Sequence, residues 1–186
     1  MTLDEMKALP ADKQKELFEK ISLARQKGKS TNYSATYGAG AATIARAAGV
    51  SVAEAERLHK AYWELNWSIP AVAENLTTKK VEGQEWVYNP VSKMWYTLRH
   101  KKDRWSTLNQ GTGVYCFDTW VKHILSKRPQ LTGQFHDEII LCIKKGAREK
   151  CEALLRWAID KTNEELKLNR ELDISVDFGD NYAQIH

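Results

Sequence analysis

No run of 18 apolar residues occurs anywhere in this 186-residue chain, so no segment has the length and composition of a membrane-crossing helix. The first residues carry Asp4 and Glu5 where a secretory leader would place a basic patch and an apolar core, so no signal peptide is expected. Cysteine is scarce. Cys116, Cys142 and Cys151 show no CxxC spacing, and Cys116 and Cys142 lie in apolar segments, so they read as reduced core thiols of a cytoplasmic protein. Internal repeats and low-complexity segments are absent. An excess of one charge is nearly absent too: the net charge of +4 permits nucleic-acid binding without demanding it. With 42% hydrophobic and 28% charged residues, the chain can bury a core of its own as one domain or two.

What is present begins with Arg25, Lys29, Tyr33 and Tyr37, spaced by four, with Gly38 after the last. On a helix, four residues overshoot one turn by about 40°, so these side chains share a face. Two cations and two phenol rings on one face suit a polyphosphate with a base attached. The cations neutralise phosphate oxygens, and a flat ring beyond them offers a platform for sugar and base. The same spacing is also met by an exposed basic helix whose charged face is merely solvated.

A second constellation lies at residues 134–143, where an apolar, β-branched run is interrupted by His136, Asp137 and Glu138. The run reads as a buried strand, with Leu131 to Phe135 as its hairpin partner and the ionisable triplet near the turn. Paired acids on a rigid hairpin tip suit a hard divalent cation such as Mg²⁺, which takes oxygen ligands. A solvated turn is the alternative. A basic run, Arg99, His100, Lys101, Lys102 and Arg104, flanked by Trp95, Tyr96 and Trp105, suits a nucleic-acid backbone or, equally, a solvated loop after a hairpin.

Coarse patterning places two short helical pieces around Pro10, then the ladder helix, stopped near Gly38 and Gly40. Ser51 with Glu54 marks the start of a helix running to about Asn66, and Pro70 begins or precedes another. Trp86 to Tyr88 and Met94 to Leu98 form a hairpin through Asn89 and Pro90. Helices follow at Thr107 to Leu125 and, after Gly146, from Ala147 to about Lys167, the latter burying Leu154, Leu155, Ala158, Ile159 and Leu166. A last strand is expected at Ile174 to Phe178, closing the sheet. Asp177 in that strand faces solvent by alternation.

These motifs together resemble the family A DNA polymerases, the group of bacterial DNA polymerase I and related phage replicative enzymes. RQKGKSTNYSATYG is similar to the family's fingers-helix pattern RxxxKxxxYxxxYG, and FHDEIIL to its palm motif HDE. LNQGTG resembles the segment ahead of a palm helix, and GDNYAQIH the closing pattern with its final His186. The resemblance covers residues from about 20 to 186. It implies an α+β fold: a helical fingers subdomain over residues 1–80, then over 81–186 a β-hairpin and the C-terminal half of an antiparallel-sheet palm.

The resemblance also implies roles. Arg25 and Lys29 would hold the incoming deoxynucleoside triphosphate (dNTP), with Lys29 a proton donor to pyrophosphate. Tyr33 would pack on sugar and base, and a Tyr there is associated with tolerance of chain-terminating dideoxynucleotides. Tyr37 would stack near the templating base. Gln110 and Lys102 would contact the primer–template DNA, His136 would support the primer terminus, Asp137 would ligate two Mg²⁺ ions, and Glu138 would be a peripheral member of the catalytic group. Ser106 stands where family members often have asparagine, with Asn109 close by.

One piece of the family pattern is missing. A strand similar to DYSxIExR carries the first catalytic aspartate, and nothing like it occurs here. The acids before Arg25, namely Asp4, Glu5, Asp12, Glu16 and Glu19, lie in a helix-like stretch. A second polypeptide is therefore expected to supply that strand, the thumb and a candidate 3′–5′ exonuclease, making this one subunit of a split polymerase. Met1 is a candidate natural start, and a fragment of a longer enzyme would look the same. The resemblance points to a phage-encoded enzyme in bacterial cytoplasm. The competing expectation is a non-catalytic nucleotide- or DNA-binding accessory subunit, or an inactive polymerase fragment.

Overall fold

The computed structural model describes residues 3–185, so Met1, Thr2 and the closing His186 lie outside the described residues. Among the described residues, seven α-helices and five strands follow one another: five helices come first, then two small antiparallel sheets interleaved with two further helices, an α+β arrangement. Helix α1 covers Leu3–Lys7 and α2 covers Ala11–Thr36. The two short pieces expected around Pro10 are thus one short helix and the amino-terminal half of α2. Proline fits the N-cap of α2 because it lacks only an N–H that would have no partner there. Glu5, Asp12, Glu16 and Glu19 are exposed on these helices rather than set on a strand end.

Contacts divide the chain into two compact units: residues up to Val87 together with Thr97–Thr107, and Tyr88–Tyr96 together with residues from Leu108 onward. In the first unit, α3 (Ala41–Ala48), α4 (Val52–Leu65) and α5 (Ser68–Glu74) follow α2. Ser51 Oγ accepts from the Glu54 amide at 3.2 Å, the expected cap of α4. Ala35 of α2, Ala45 of α3 and Ala55 of α4 pack around Ile44 of α3, and the three small side chains let these helices approach closely. Thr36 Oγ1 and the Tyr62 hydroxyl, 2.6 Å apart, tie the end of α2 to α4.

Strands β1 (Thr78–Val81), β2 (Gln84–Asn89) and β3 (Met94–Leu98) form a sheet in that order. β1 and β2 pair from Thr78↔Val87 to Val81↔Gln84, which leaves Glu82 and Gly83 as a two-residue turn with φ of +50° and +83°. Left-handed residues at both positions match the right-handed twist of a hairpin.

In the second unit, α6 (Arg104–Leu125) supplies Trp120, Val121 and Ile124, and α7 (Arg148–Leu166) supplies Leu155, Ala158 and Ile159, to one core cluster. Spacings of three and four on each helix put these residues on facing stripes. Burying each large member contributes about 1.5–3 kcal/mol relative to exposure. Strands β4 (Leu131–Phe135) and β5 (Glu138–Leu141) pair antiparallel, and Ile139 and Leu141 pack on the α6–α7 cluster.

Three expectations are corrected. The 134–143 run is not a fully buried strand: β5 is half-buried throughout and Phe135 and Ile143 are exposed, because only one face of a two-stranded sheet meets the helices. Cys142, one residue past β5, is exposed rather than a core thiol. The last strand, Ile174 to Phe178, is extended but unpaired, since no described strand lies hydrogen-bonded beside it.

Candidate functional site

Helix α2 carries two faces with different fates. Thr31 and Ala35 are buried against the first unit's core, whereas Arg25, Lys29, Tyr33 and Tyr37 are exposed. At 100° per residue, Lys29 and Tyr33 stand about 120–160° around the axis from Thr31 and Ala35, so packing one face necessarily presents the other. Tyr33 and Tyr37 keep 55% and 41% of their surface open, enough for a ring face to receive a flat partner. Neither Arg25 nor Lys29 forms an ion pair with a described acid, which leaves both charges available to an anion.

The helix stops where the ladder ends. Tyr37 is the C-cap, its N–H donating to the Tyr33 carbonyl at 3.0 Å, and Gly38 at φ +74° turns the chain out of the helix. A Cβ on Gly38 would stand 3.7 Å from Lys102 Cδ, so the stem of Lys102 lies at this terminus. A lysine there complements the negative end of the helix dipole and adds a third cation near Tyr37. Lys101 with Arg99, His100, Lys79 and Lys80 lines a groove of about 520 Å³ beside the β1–β3 sheet. Arg104 belongs to the structural framework instead: it is largely buried and paired with Glu85.

In the second unit, His136 and Asp137 form the two-residue turn joining β4 to β5, and Phe135 pairs with Glu138 across it. His136 sits at φ +47°, an uncommon conformation for a residue with a Cβ. Such local strain concentrates where a side chain must be aimed. Both His136 and Asp137 are exposed at the tip, while Glu138 is half-buried as the first residue of β5. Asp137 and Glu138 offer the hard oxygen donors that Mg²⁺ prefers. Among the described residues no three acids, histidines or cysteines gather at one point.

Gln110 is exposed on α6, and the residue that fixes its surroundings is Asn89, which sequence reasoning assigned only to a turn. Fully buried Asn89 uses its whole amide. Oδ1 accepts from the Val91 and Ser92 amides at 2.9 and 3.2 Å, and Nδ2 donates to the Leu108 carbonyl and Thr112 Oγ1 at 3.3 and 2.9 Å. These bonds clamp the hairpin loop onto the turn of α6 that carries Gln110. Gly111 completes the fit, because the Tyr96 ring lies 3.0 to 3.3 Å from where its Cβ would be. Asn-Pro in the hairpin and Gly after Gln110 were the available signals. Ser106 is spent locally, donating to the Asp103 carbonyl at 3.0 Å.

A cationic, aromatic helix face and an acidic hairpin tip are the parts needed to bind a triphosphate and to hold a divalent cation. The family model described as DNA polymerase family A matches residues 11–184. No curated protein matches the chain.

Proposed function

Since the chain belongs to DNA polymerase family A, we propose that it is the fingers and half-palm subunit of a split, DNA-directed DNA polymerase, completed by a second polypeptide that carries the first catalytic aspartate. The observation that carries this reading is the α2 ladder: two unpaired cations and two open phenol rings on the face opposite its packed side.

In this reading Arg25 and Lys29 grip the dNTP phosphates, and Lys29 hands a proton to the departing pyrophosphate. Charge placed where negative charge develops is worth about 10²–10³-fold in rate for a single donor. Tyr33 packs on the sugar and base, and its hydroxyl takes the place of a missing 3′ hydroxyl contact. Tyr37 stacks near the templating base, and Lys102 and Gln110 hold the duplex. His136 supports the primer terminus. Asp137 would hold two Mg²⁺ ions jointly with the partner's aspartate, with Glu138 beside it, and such ions supply activation of the attacking hydroxyl and support for the leaving pyrophosphate. Two adjacent acids cannot clamp two ions alone, which is the reason for a partner.

Primer extension tests the proposal. The chain alone should give no product, and adding a polypeptide with the aspartate-bearing strand should restore Mg²⁺-dependent synthesis. Lys29→Ala should lower the restored rate about 10²-fold or more, and Asp137→Ala should abolish it. Full synthesis by the Asp137→Ala chain would sink the catalytic assignment. The scarcity of clustered ligands among the described residues favours one other reading, an accessory subunit that binds nucleotide without reacting it. That reading predicts dNTP binding that Lys29→Ala weakens, with no synthesis in any mixture.

A further inference from the structure

Residues 11–26 of α2, about 24 Å of helix, are all exposed except Leu17, which is half-buried, and full burial begins only at Thr31 and Ala35. Gln14 Nε2 tethers the free end, donating to the Lys7 and Leu9 carbonyls at 2.9 and 2.7 Å. Yet the stripe that packs does not stop at Thr31. Stepping back from Ala35 and Thr31 by threes and fours gives Gly28, Ala24, Ile21 and Leu17, all within about 40° of one line along the helix. The line of the first unit's core thus runs on as an apolar stripe on which Ile21, Ala24 and Gly28 are exposed. Ile21 keeps 46% of its surface open, and Phe18 beside it 71%. A helix of this length without packing is marginal in water.

Glycine inside a helix costs about 1 kcal/mol relative to alanine. A Cβ on Gly28 would meet nothing within 4 Å, so no contact among the described residues calls for glycine there. With Ala24 it makes a shallow trough that lets a second helix approach to an axis separation of about 8 Å. Thr31, 8% exposed, stands where the trough meets the core, and its hydroxyl has no partner among the described residues. Thr36, Thr119 and Thr162, by contrast, donate to the carbonyl four residues back. Charge says what kind of helix fits. Lys13, Lys20 and Lys27 recur every seven residues about 40–80° to one side of Leu17, and Arg25 borders the other side, while Asp12, Glu16 and Glu19 lie about 100–160° away. Lys13 and Lys27 form no ion pair with a described residue, and Lys20 meets Glu16 only in a pair whose side chains are 71% and 64% exposed, which holds it weakly. Such a flank repels a second copy of itself and attracts acids at facing positions. Large apolar side chains on the stripe end at Ile21, too few to anchor a helix in lipid, where the trough would also serve nothing.

We infer that the amino-terminal half of α2 is a docking face for an amphipathic helix of another protein, apolar along one stripe and acidic along its flanks. The face lies about 120–160° around the helix from Lys29 and Tyr33, so it is separate from the nucleotide ladder and does not rest on the split-polymerase reading. Leu17, Phe18 and Ile21 supply the apolar contact, Ala24 and Gly28 the close approach, and the three lysines the choice of partner. Three turns of helix against helix belong to the small, transient class of interfaces, so this contact is weak when isolated.

Fluorescence anisotropy with the full chain tests this without any catalytic readout. The probe is a labelled synthetic peptide of about three heptads, with leucine and alanine on its stripe and glutamate on both flanks. It should bind with a dissociation constant of about 100 µM or tighter, and the same peptide with lysine flanks should not. Gly28→Leu fills the trough with a better helix former where a Cβ meets open space, so helical circular dichroism should be kept while peptide binding weakens about tenfold or more. Reversing the flank with Lys13→Glu, Lys20→Glu and Lys27→Glu together should switch the preference to the lysine-flanked peptide. No binding, equal binding of both peptides, indifference to Gly28→Leu, or a reversed flank that keeps its old preference would overturn the docking face. Self-association of the chain that Gly28→Leu abolishes would assign the stripe to a second copy, and binding to anionic vesicles that Ile21→Asp abolishes, without peptide capture, would assign it to a membrane surface. Either result would overturn the inference, whereas peptide capture with failed primer extension would refute the polymerase reading alone.

Discussion

Tyr96 and Gly111 show how one hydrogen atom in place of a methyl group fixes a local geometry. With the ring 3.0 to 3.3 Å from the missing Cβ, Gly111→Ala should cost about 1–3 kcal/mol through overpacking, read as a lower urea midpoint. Combining it with Tyr96→Leu should recover part of the loss, because the two residues share one contact. The thiols divide as clearly. Burial raises the Cys116 and Cys151 thiols above their ordinary value, whereas Cys142 is exposed. A thiolate-selective disulfide reagent should therefore label Cys142 in the native protein well before the other two, and equal rates at all three would contradict this packing. In the split polymerase proposed above, Tyr33→Phe should reduce dideoxynucleotide incorporation about tenfold, the worth of one hydrogen bond.

At the scale of elements, α6 and α7 are joined outside their core by Glu165, which accepts from Lys122 Nζ at 2.7 and 2.9 Å and lies 2.9 Å from His123 Nε2. The Lys122 hydrogen bond first, and His123 after it, hold the Glu165 carboxyl below its ordinary value. A carboxyl depressed by folding binds fewer protons in the native state. Its stabilisation is present above the unfolded-state value and is lost as pH falls through the folded one. Glu165→Gln should therefore lower stability at neutral pH, by less than about 1 kcal/mol because the group is 39% exposed. Denaturation midpoints of parent and variant should converge in acid, and a constant difference across pH would remove this role. Elements also mark where pattern reading stopped short. β1 is the polar sequence TKKV, formed because Glu82 and Gly83 accept left-handed angles, and α3 is an alanine-rich helix of only eight residues between Gly40 and Gly49.

For the whole molecule, each compact unit has its own core, one built of alanines and Ile44 and the other of Trp120, Ile124, Leu155 and their neighbours. Ile124→Ala should cost about 2–5 kcal/mol as a fully buried large-to-small change. Segment-resolved hydrogen exchange should show that loss in α6 and α7 while Ala35 and Ile44 keep their protection; equal losses in both units would mean that they unfold as one.

The periodic and the chemically dense parts are legible in the amino-acid order alone. Spacing of four exposed Arg25, Lys29, Tyr33 and Tyr37 together because a helix face follows from covalent geometry, and apolar stripes defined α6 and α7 for the same reason. The ionisable triplet between apolar runs placed His136 and Asp137 at a hairpin tip, since buried strands cannot carry unpaired charges. Three features emerge from packing alone: Asn89 anchors the helix turn of Gln110, Lys102 reaches the end of α2, and residues 172–178 pair with no described strand. Those depend on which distant segments meet. Strand pairing and buried amide satisfaction are relations between two pieces of backbone, and a pattern within one piece cannot state whether the other is there.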